Sequence, residues 1–299
     1  MAYFSQLAFA GVALGCIYAL IGLGFSIIFK ASDVINFAQG ELLLVGAYII
    51  SSGVFEWHLG FFPALFLGIA VTVAIGLLFQ RFILQRMIGR PTFSILMITI
   101  GLDIVLRTGV IMRWGSNPIP AGSPFQINTG TNIGGVHFGA IDLWTILVTA
   151  LLCAALYYFF RFTKYGLAMR ATAIDQEAAL AMGINIRMVN ALAWGISAAI
   201  ATIGGVFLAA KSLAIDPTLG DTALLAFPAI ILGGIDSING AVVGGIIIGL
   251  AEVLTAGYEN QVANILGAGF HEIMPYIIMI VVLLIRPYGI FGRRKVERV

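Results

Sequence analysis

The sequence predicts an all-α polytopic membrane protein, a helical bundle of about 8–10 transmembrane spans that includes broken and short helices. Three observations carry that expectation. Of the 299 residues, 60% are hydrophobic and only 10% charged, against roughly 45–50% and about 25% in a soluble globular domain. The mean hydropathy is +1.03. The apolar residues come in runs of about 20, the length a helix needs to cross the hydrocarbon and longer than a barrel strand uses. The basic residues gather in a few links between those runs. Residues 1–299 therefore read as a single transmembrane domain.

The first span runs from about Ser5 to Phe29 and ends at Lys30. No basic stretch precedes it, so it is expected to stay in the mature chain rather than be cleaved as a leader. Asn36, Gln39 and Glu41 give the second span a polar opening, and it reaches about Phe55. Spans follow at about Phe61–Phe82 and Thr92–Met112, the latter opened by Pro91. The stretch from Trp114 to Ala140 is rich in Gly, Pro, Asn and Ser, an irregular loop or a small hairpin. Spans at about Ile141–Phe160 and Val189–Ala210 flank a polar segment, residues 162–188. From Thr222 to Tyr258 the chain is apolar but broken at Gly233–Gly240, which predicts two short spans or half-helices joined by a turn. A last span covers about His271–Ile285, and residues 286–299 form a basic tail. The 36 glycines fit close helix packing in lipid. Cys16 and Cys153 both fall within spans, which marks them as packing residues rather than a disulfide.

Orientation follows from lysine and arginine. With the tail inside and the broken stretch counted as two crossings, 13 of the 16 basic residues lie on the cytoplasmic side, leaving Arg107, Arg113 and Lys211. The expectation is nine crossings, N-terminus out and C-terminus in.

The sequence contains no Gly-Lys-Ser or Gly-Lys-Thr, so no Walker A loop. His58, His137 and His271 are scattered without metal-ligand spacing. No nucleophile elbow or carboxylate pair stands out. Enzymatic chemistry in this chain is not expected, and neither a cofactor nor a nucleic-acid partner is implied. What remains is a set of polar groups where lipid discourages them. Asn36, Gln39 and Glu41 either line a path or gate, or sit near enough to the inner surface for Glu41 to be solvated or paired with Lys30. Asp103 and Arg107, four apart, share a helix face and can pair. In the polar segment, Asp175 can cap a short helix of good helix formers, and Gly183 can end it. Met169 and Met182 beside it serve either packing or contact with a partner groove.

Glu177-Ala-Ala-Leu-Ala-Met-Gly183 has the form Glu-Ala-Ala-x-x-x-Gly, which resembles the cytoplasmic coupling motif of ABC importer permeases. The wider run Gly166–Asn185 is similar to the branched-chain amino acid permease family of the LivH type. So are Asn36–Tyr48, Gly233–Gly244, which departs at Asp236 where the family favours glycine, and Arg286–Gly292. The matches span nearly the whole chain in order. The resemblance implies the ABC importer permease fold and a bacterial inner-membrane subunit. It also implies a homologous LivM-type permease, two cytoplasmic ATPases that use ATP and Mg, and a periplasmic binding protein as partners. Asp175, Glu177, Ala178, Ala179 and Gly183 would form the contact with the ATPase. Leu, Ile or Val is the expected cargo, with urea or short amides as the alternative within the same architecture. Against it stands an ion-coupled secondary transporter or channel using Glu41, Asp103 or Glu252.

Overall fold

The structure, a computed structural model, describes residues 2–87, 90–124, 130–133, 136–259 and 269–292. The expected basic residues Arg293, Arg294, Lys295 and Arg298, and most of the expected loop from Glu259 to Gly269, lie outside the described residues. The expected spans are present as helices, together with one that the sequence does not indicate, the sixth in order: α1 (Ala2–Ser32), α2 (Gln39–Phe55), α3 (Phe61–Phe82), α4 (Thr92–Trp114), α5 (Ala140–Phe162) and α6 (Lys164–Ile174). They continue as α7 (Gln176–Ala181), α8 (Ile186–Ser212), α9 (Thr222–Gly233), α10 (Ile238–Gly257) and α11 (Phe270–Ile285). Among the described residues, six helices are long and apolar enough to cross a membrane, and three apolar stretches are shorter. The chain is thus an all-α multi-pass membrane protein. Four short strands complete it: β1 (Ile119–Pro120), β2 (Gly130–Ile133), β3 (Val136–Gly139) and β4 (Ala214–Ile215). The Gly/Pro-rich loop resolves into the antiparallel β2–β3 hairpin, while β1 pairs antiparallel with β4.

The chain packs as two compact units. One comprises residues 27–124 and 150–223 and is built around α2, which packs against α3, α4 and α8. A helix apolar on all sides belongs in a core, and α2 is buried from Gln39 through Gly53. Small residues permit that density. A Cβ on Gly46 would lie 2.8 Å from Thr202 Oγ1, and one on Gly205 would lie 2.7 Å from the Leu43 carbonyl. The Thr72 and Thr202 hydroxyls meet at 2.6 Å, tying α3 to α8. Each also bonds its own helix, to the carbonyls of Gly68 and Ala198, so neither of these two hydroxyls is left unsatisfied.

The start of α2 is deep. The Gln39 amide donates to the Ser197 carbonyl at 3.3 Å, and the Ser197 hydroxyl donates back at 2.8 Å. Ser197 stands eleven residues past the first residue of α8, about 16 Å along it at 1.5 Å per residue. Before α2 the chain is non-helical from Asp33, whose φ of 59° breaks α1, to Ala38. Two of its backbone N–H groups find side-chain acceptors: that of Ala38 donates to Asn36 Oδ1 at 3.1 Å, and that of Phe37 to Thr99 Oγ1 on α4 at 3.4 Å. Irregular backbone at such depth is tolerated only inside protein or along a wet cavity.

The other unit comprises residues 1–26, 125–149 and 224–299. Here α1 crosses α10 glycine against glycine. A Cβ on Gly249 would lie 2.2 Å from the backbone N of Gly15, and one on Gly15 would lie 2.6 Å from the Ile246 Cα. Gly11, Gly15, Gly245 and Gly249 form two small-xxx-small pairs, the device by which apolar helices approach in lipid. The break foreseen between Gly233 and Gly240 is a tight reversal from α9 into α10. Gly234 adopts φ 100°, and Ser237 caps α10 by accepting the Gly240 N–H. The Tyr18 hydroxyl donates to Glu252 Oε2 at 2.8 Å, so Glu252 is held by a neutral donor.

Candidate functional site

The polar segment folds as two helices, where the sequence indicates one. Thr163 caps α6 by accepting the Gly166 N–H at 2.9 Å. Gly166 lets α6 turn back on the end of α5, since a Cβ there would sit 2.2 Å from the Phe159 carbonyl. Asp175 ends α6 and caps α7, its Oδ1 accepting the Ala178 N–H at 2.9 Å. At the other end, the Ile184 N–H bonds the Ala179 carbonyl at 3.0 Å and the Gly183 N–H bonds the Leu180 carbonyl at 2.9 Å. With Gly183 at φ 84° this is a Schellman termination. Two residues later Asn185 caps α8 through the Met188 N–H at 3.2 Å. Fixed hydrogen bonds thus join α7 to α8 with no free linker.

The residues expected at the ATPase contact divide by exposure. Glu177, Ala178 and Gly183 are exposed, whereas Ala179 is buried and seats the helix on its neighbours. Of the two methionines, Met169 is core and Met182 is 83% exposed. Ile174, Leu180 and Met182 together present apolar surface on an otherwise polar segment.

A charged cluster lies toward the other end of the same unit. Arg107, on α4, donates from Nη2 to Glu41 Oε1 at 2.7 Å and from Nε to the same oxygen at 3.0 Å. It also donates to Asp221 through Nη2 and, at 3.3 Å, through Nη1. Sequence spacing pairs Arg107 with Asp103, and that expectation is corrected. The planar guanidinium reaches across to two other elements, and Asp103 remains a charged neighbour one turn away. Likewise Glu41 is not solvated or paired with Lys30. Its side chain is fully buried, and Arg107 is its counter-charge. Gly220 admits the carboxylate, because a Cβ there would meet Glu41 Oε1 at 2.4 Å. Gly40 in turn lets the backbone of Gly220 approach to 2.3 Å of its would-be Cβ.

The structure therefore brings Asn36, Gln39 and Glu41 into the interior of one unit, sets the partly exposed Arg107 against Glu41, and adds Ser197, Gly220 and Asp221. Asp221 had a visible signal in the sequence, an acidic residue immediately before an apolar run. Ser197 had none. Arg107 and Asp221 remain partly open, with side chains 32% and 46% exposed. Around them on α4, Gly101, Ile104, Val105 and Gly109 are exposed, and nothing lies within 4 Å of a Cβ built on either glycine. Among the described residues no group of three or more His, Cys, Asp or Glu is placed to hold a metal ion.

Residues 7–283 match the family model described as branched-chain amino acid transport system / permease component. The chain belongs to that family. It is 34% identical over 315 residues to the high-affinity branched-chain amino acid transport system permease protein LivH of Escherichia coli (strain K12), with 99% of this chain and 98% of the relative covered. It is 32% identical over 309 residues to the permease protein BraD of Pseudomonas aeruginosa, with 99% and 98% covered. Among solved structures, PsaBC from Streptococcus pneumoniae in complex with Fab is similar with a TM-score of 0.52 at 13% identity, covering 97% of this chain and 94% of that one. That last likeness concerns the fold alone. The all-α, polytopic permease architecture expected from the sequence is the one found.

Proposed function

We propose that this chain is the transmembrane permease subunit of an ATP-driven ABC importer carrying branched-chain amino acids across a bacterial inner membrane. The observation that carries the proposal is α7. It is a short helix capped at both ends and fastened without slack to α8, with exposed Leu180 and Met182 beside Glu177 and Ala178 and exposed Ile174 at the adjoining end of α6. Adaptable apolar side chains on a polar surface suit the groove of a partner protein. A permease whose sequence holds no nucleotide loop needs that partner to be an ATPase. ATP and Mg are then used by two cytoplasmic ATPase subunits, and the permease chain itself holds no cofactor and catalyses no reaction. In this reading the N-terminus is periplasmic, the C-terminus is cytoplasmic, and a periplasmic binding protein delivers the cargo.

Force applied to α7 passes into α8 as a rigid body. From α8 it reaches α2 through the Ser197–Gln39 bonds and the Gly46–Thr202 contact. Because α2 carries Glu41, the push arrives at the Arg107 cluster. Half-exposed charges in the body of an apolar helix belong against protein or a wet path, not against hydrocarbon. The α4 face bearing Asp103 and Arg107 is accordingly assigned to the translocation path and to a homologous LivM-type permease across it. An ion-coupled mechanism is disfavoured by membership of the permease family, and of its three candidate carboxylates Glu41 already faces Arg107 and Glu252 accepts from Tyr18.

The test is uptake by the chain reconstituted with its ATPases and binding protein. Leucine, isoleucine or valine should accumulate only with ATP and should continue to do so when ionophores collapse ion gradients. Uptake that persists without ATP but stops with the ionophore overturns the reading.

A further inference from the structure

A cavity of about 190 Å³ lies beside the coupling helix, lined by residues of the α1–α2 link, α3, α4, α7 and α8. Its lining has the chemistry of an amino-acid site. Asp33 brings a carboxylate, Arg90 a guanidinium, and Asn36, Gln176 and Asn190 bring side-chain amides. Ile95 and Trp194 stand among its apolar walls. Asn190 Oδ1 is buried there with no hydrogen-bond partner, and a buried acceptor left unmade calls for a donor. The size fits as well. A cavity of about 150 Å³ accommodates benzene with its six heavy atoms, so this one takes a solute of about eight, the size of valine. A carboxylate and a guanidinium in one small chamber match a zwitterion, and the apolar wall matches a short aliphatic side chain.

We infer that this chamber binds a free aliphatic amino acid from the cytoplasmic side, and that occupancy restrains the coupling helix. Gln176 is the first residue of α7, while Asp33 and Asn36 belong to the link leading into α2. A ligand bonded to both holds α7 and the start of α2 at a fixed distance, opposing the movement that ATPase closure requires. The accumulated product thereby slows its own import. This inference rests on the importer reading above for its direction and consequence, whereas the binding site itself does not.

The first experiment titrates the purified full-length chain, in nanodiscs of phosphatidylethanolamine and phosphatidylglycerol, with radiolabelled L-valine. Saturable binding of one valine per chain is expected. Asn190→Leu removes the orphan acceptor, and Ile95→Trp fills the chamber. Each should weaken binding by at least about tenfold, the scale of one charge-assisted hydrogen bond. Both variants are checked for monodispersity and melting temperature. Unchanged binding by two well-folded variants overturns the site. The second experiment loads valine inside vesicles that hold the assembled transporter. Internal valine should slow ATP-driven uptake several-fold in the native chain and not in Asn190→Leu. Binding without internal inhibition overturns the restraint. Normal uptake with no binding to the chain alone overturns the chamber and leaves the importer reading intact. Valine bound by the chain while the assembled transporter shows no ATP-driven uptake overturns the importer reading and supports the chamber.

Discussion

Removing the Arg107 guanidinium is the most informative perturbation of the charged cluster. Glu41 is fully buried, and its Oε1 receives both the Nη2 and Nε bonds, at 2.7 and 3.0 Å, while Oε2 has no partner. Arg107→Leu therefore leaves a carboxylate with its only strong partner gone. Deleting one member of a buried pair costs about 3–5 kcal/mol, because the other charge is left uncompensated. Glu41→Gln is milder, since it removes the buried charge and leaves Arg107 with Asp221. Its cost is about 1–3 kcal/mol, the value of a hydrogen bond to a charged group. The double variant, Arg107→Leu with Glu41→Gln, contains no stranded charge. It should be more stable than Arg107→Leu alone, a coupling of the kind a double-mutant cycle isolates. Thermal unfolding in one fixed detergent, followed with a thiol-reactive dye that reports exposure of the buried Cys16, measures all four proteins. Native protein should melt highest, Arg107→Leu lowest, and the double variant between them. Equal melting of Arg107→Leu and the double variant would refute the assignment of Arg107 as the counter-charge of Glu41.

Other parts of the molecule give separate tests. Gly183→Ala places a side chain at φ 84°, where the left-handed conformation costs roughly 1–2 kcal/mol. It should loosen the Schellman end of α7, seen as faster amide exchange at Gly183 and Ile184 and as weakened coupling of ATP hydrolysis to uptake. Leu180→Glu combined with Met182→Glu should leave the melting temperature of the isolated chain unchanged while cutting co-purification of the ATPase subunits by roughly tenfold or more. Gly249→Leu should abolish recovery of folded protein in size-exclusion chromatography, since its Cβ alone would meet Gly15 N at 2.2 Å. Gly101→Leu, with nothing within 4 Å, should not. At the entry to α11 the Gly269 N–H and the His271 ring bond the Glu259 carboxylate and hold its pKa below the ordinary 4.5. A depressed carboxylate stabilises the fold above its unfolded value and loses that contribution as pH falls through the lowered folded value. The protection of the Gly269 amide, measured against its intrinsic exchange rate at each pH, should therefore fall below about pH 4.5 in the native chain and be low at all pH in Glu259→Gln.

The helices were legible because each apolar run is bounded by polar or Gly/Pro punctuation, and their observed limits fall within a few residues of the expected ones. The caps were legible for the same local reason. Asp175 and Gly183 act through bonds to residues three or four positions away, and the sequence shows both ends of such a bond. The charged cluster was not. Arg107 lies 66 residues from Glu41 and 114 from Asp221, and spacing along one helix favours Asp103, a neighbour that the fold leaves at the side. The depth of α2 was hidden too. A polar opening to an apolar run looks like a surface link, and only the bonds from Gln39 to Ser197 distinguish an interior start from an exposed one. The glycine crossing of α1 and α10 left a trace in Gly11-x-x-x-Gly15 and Gly245-x-x-x-Gly249, though 36 glycines offer many such pairs.

The separation of Glu41 from its counter-charge bears on how the chain is made. At about 5–20 residues per second, the 66 residues between Glu41 and Arg107 take roughly 3–13 seconds to emerge. Throughout that interval α2 carries an ionisable group and a side-chain amide with no finished interior to receive them, and its 17 residues are too few to cross about 30 Å of hydrocarbon unaided. The helix that ends at the centre of its unit is thus the one least able to enter lipid on its own. During synthesis it has to wait in a wet place, at the insertion machinery or the headgroups, until α4 supplies the arginine that lets it in.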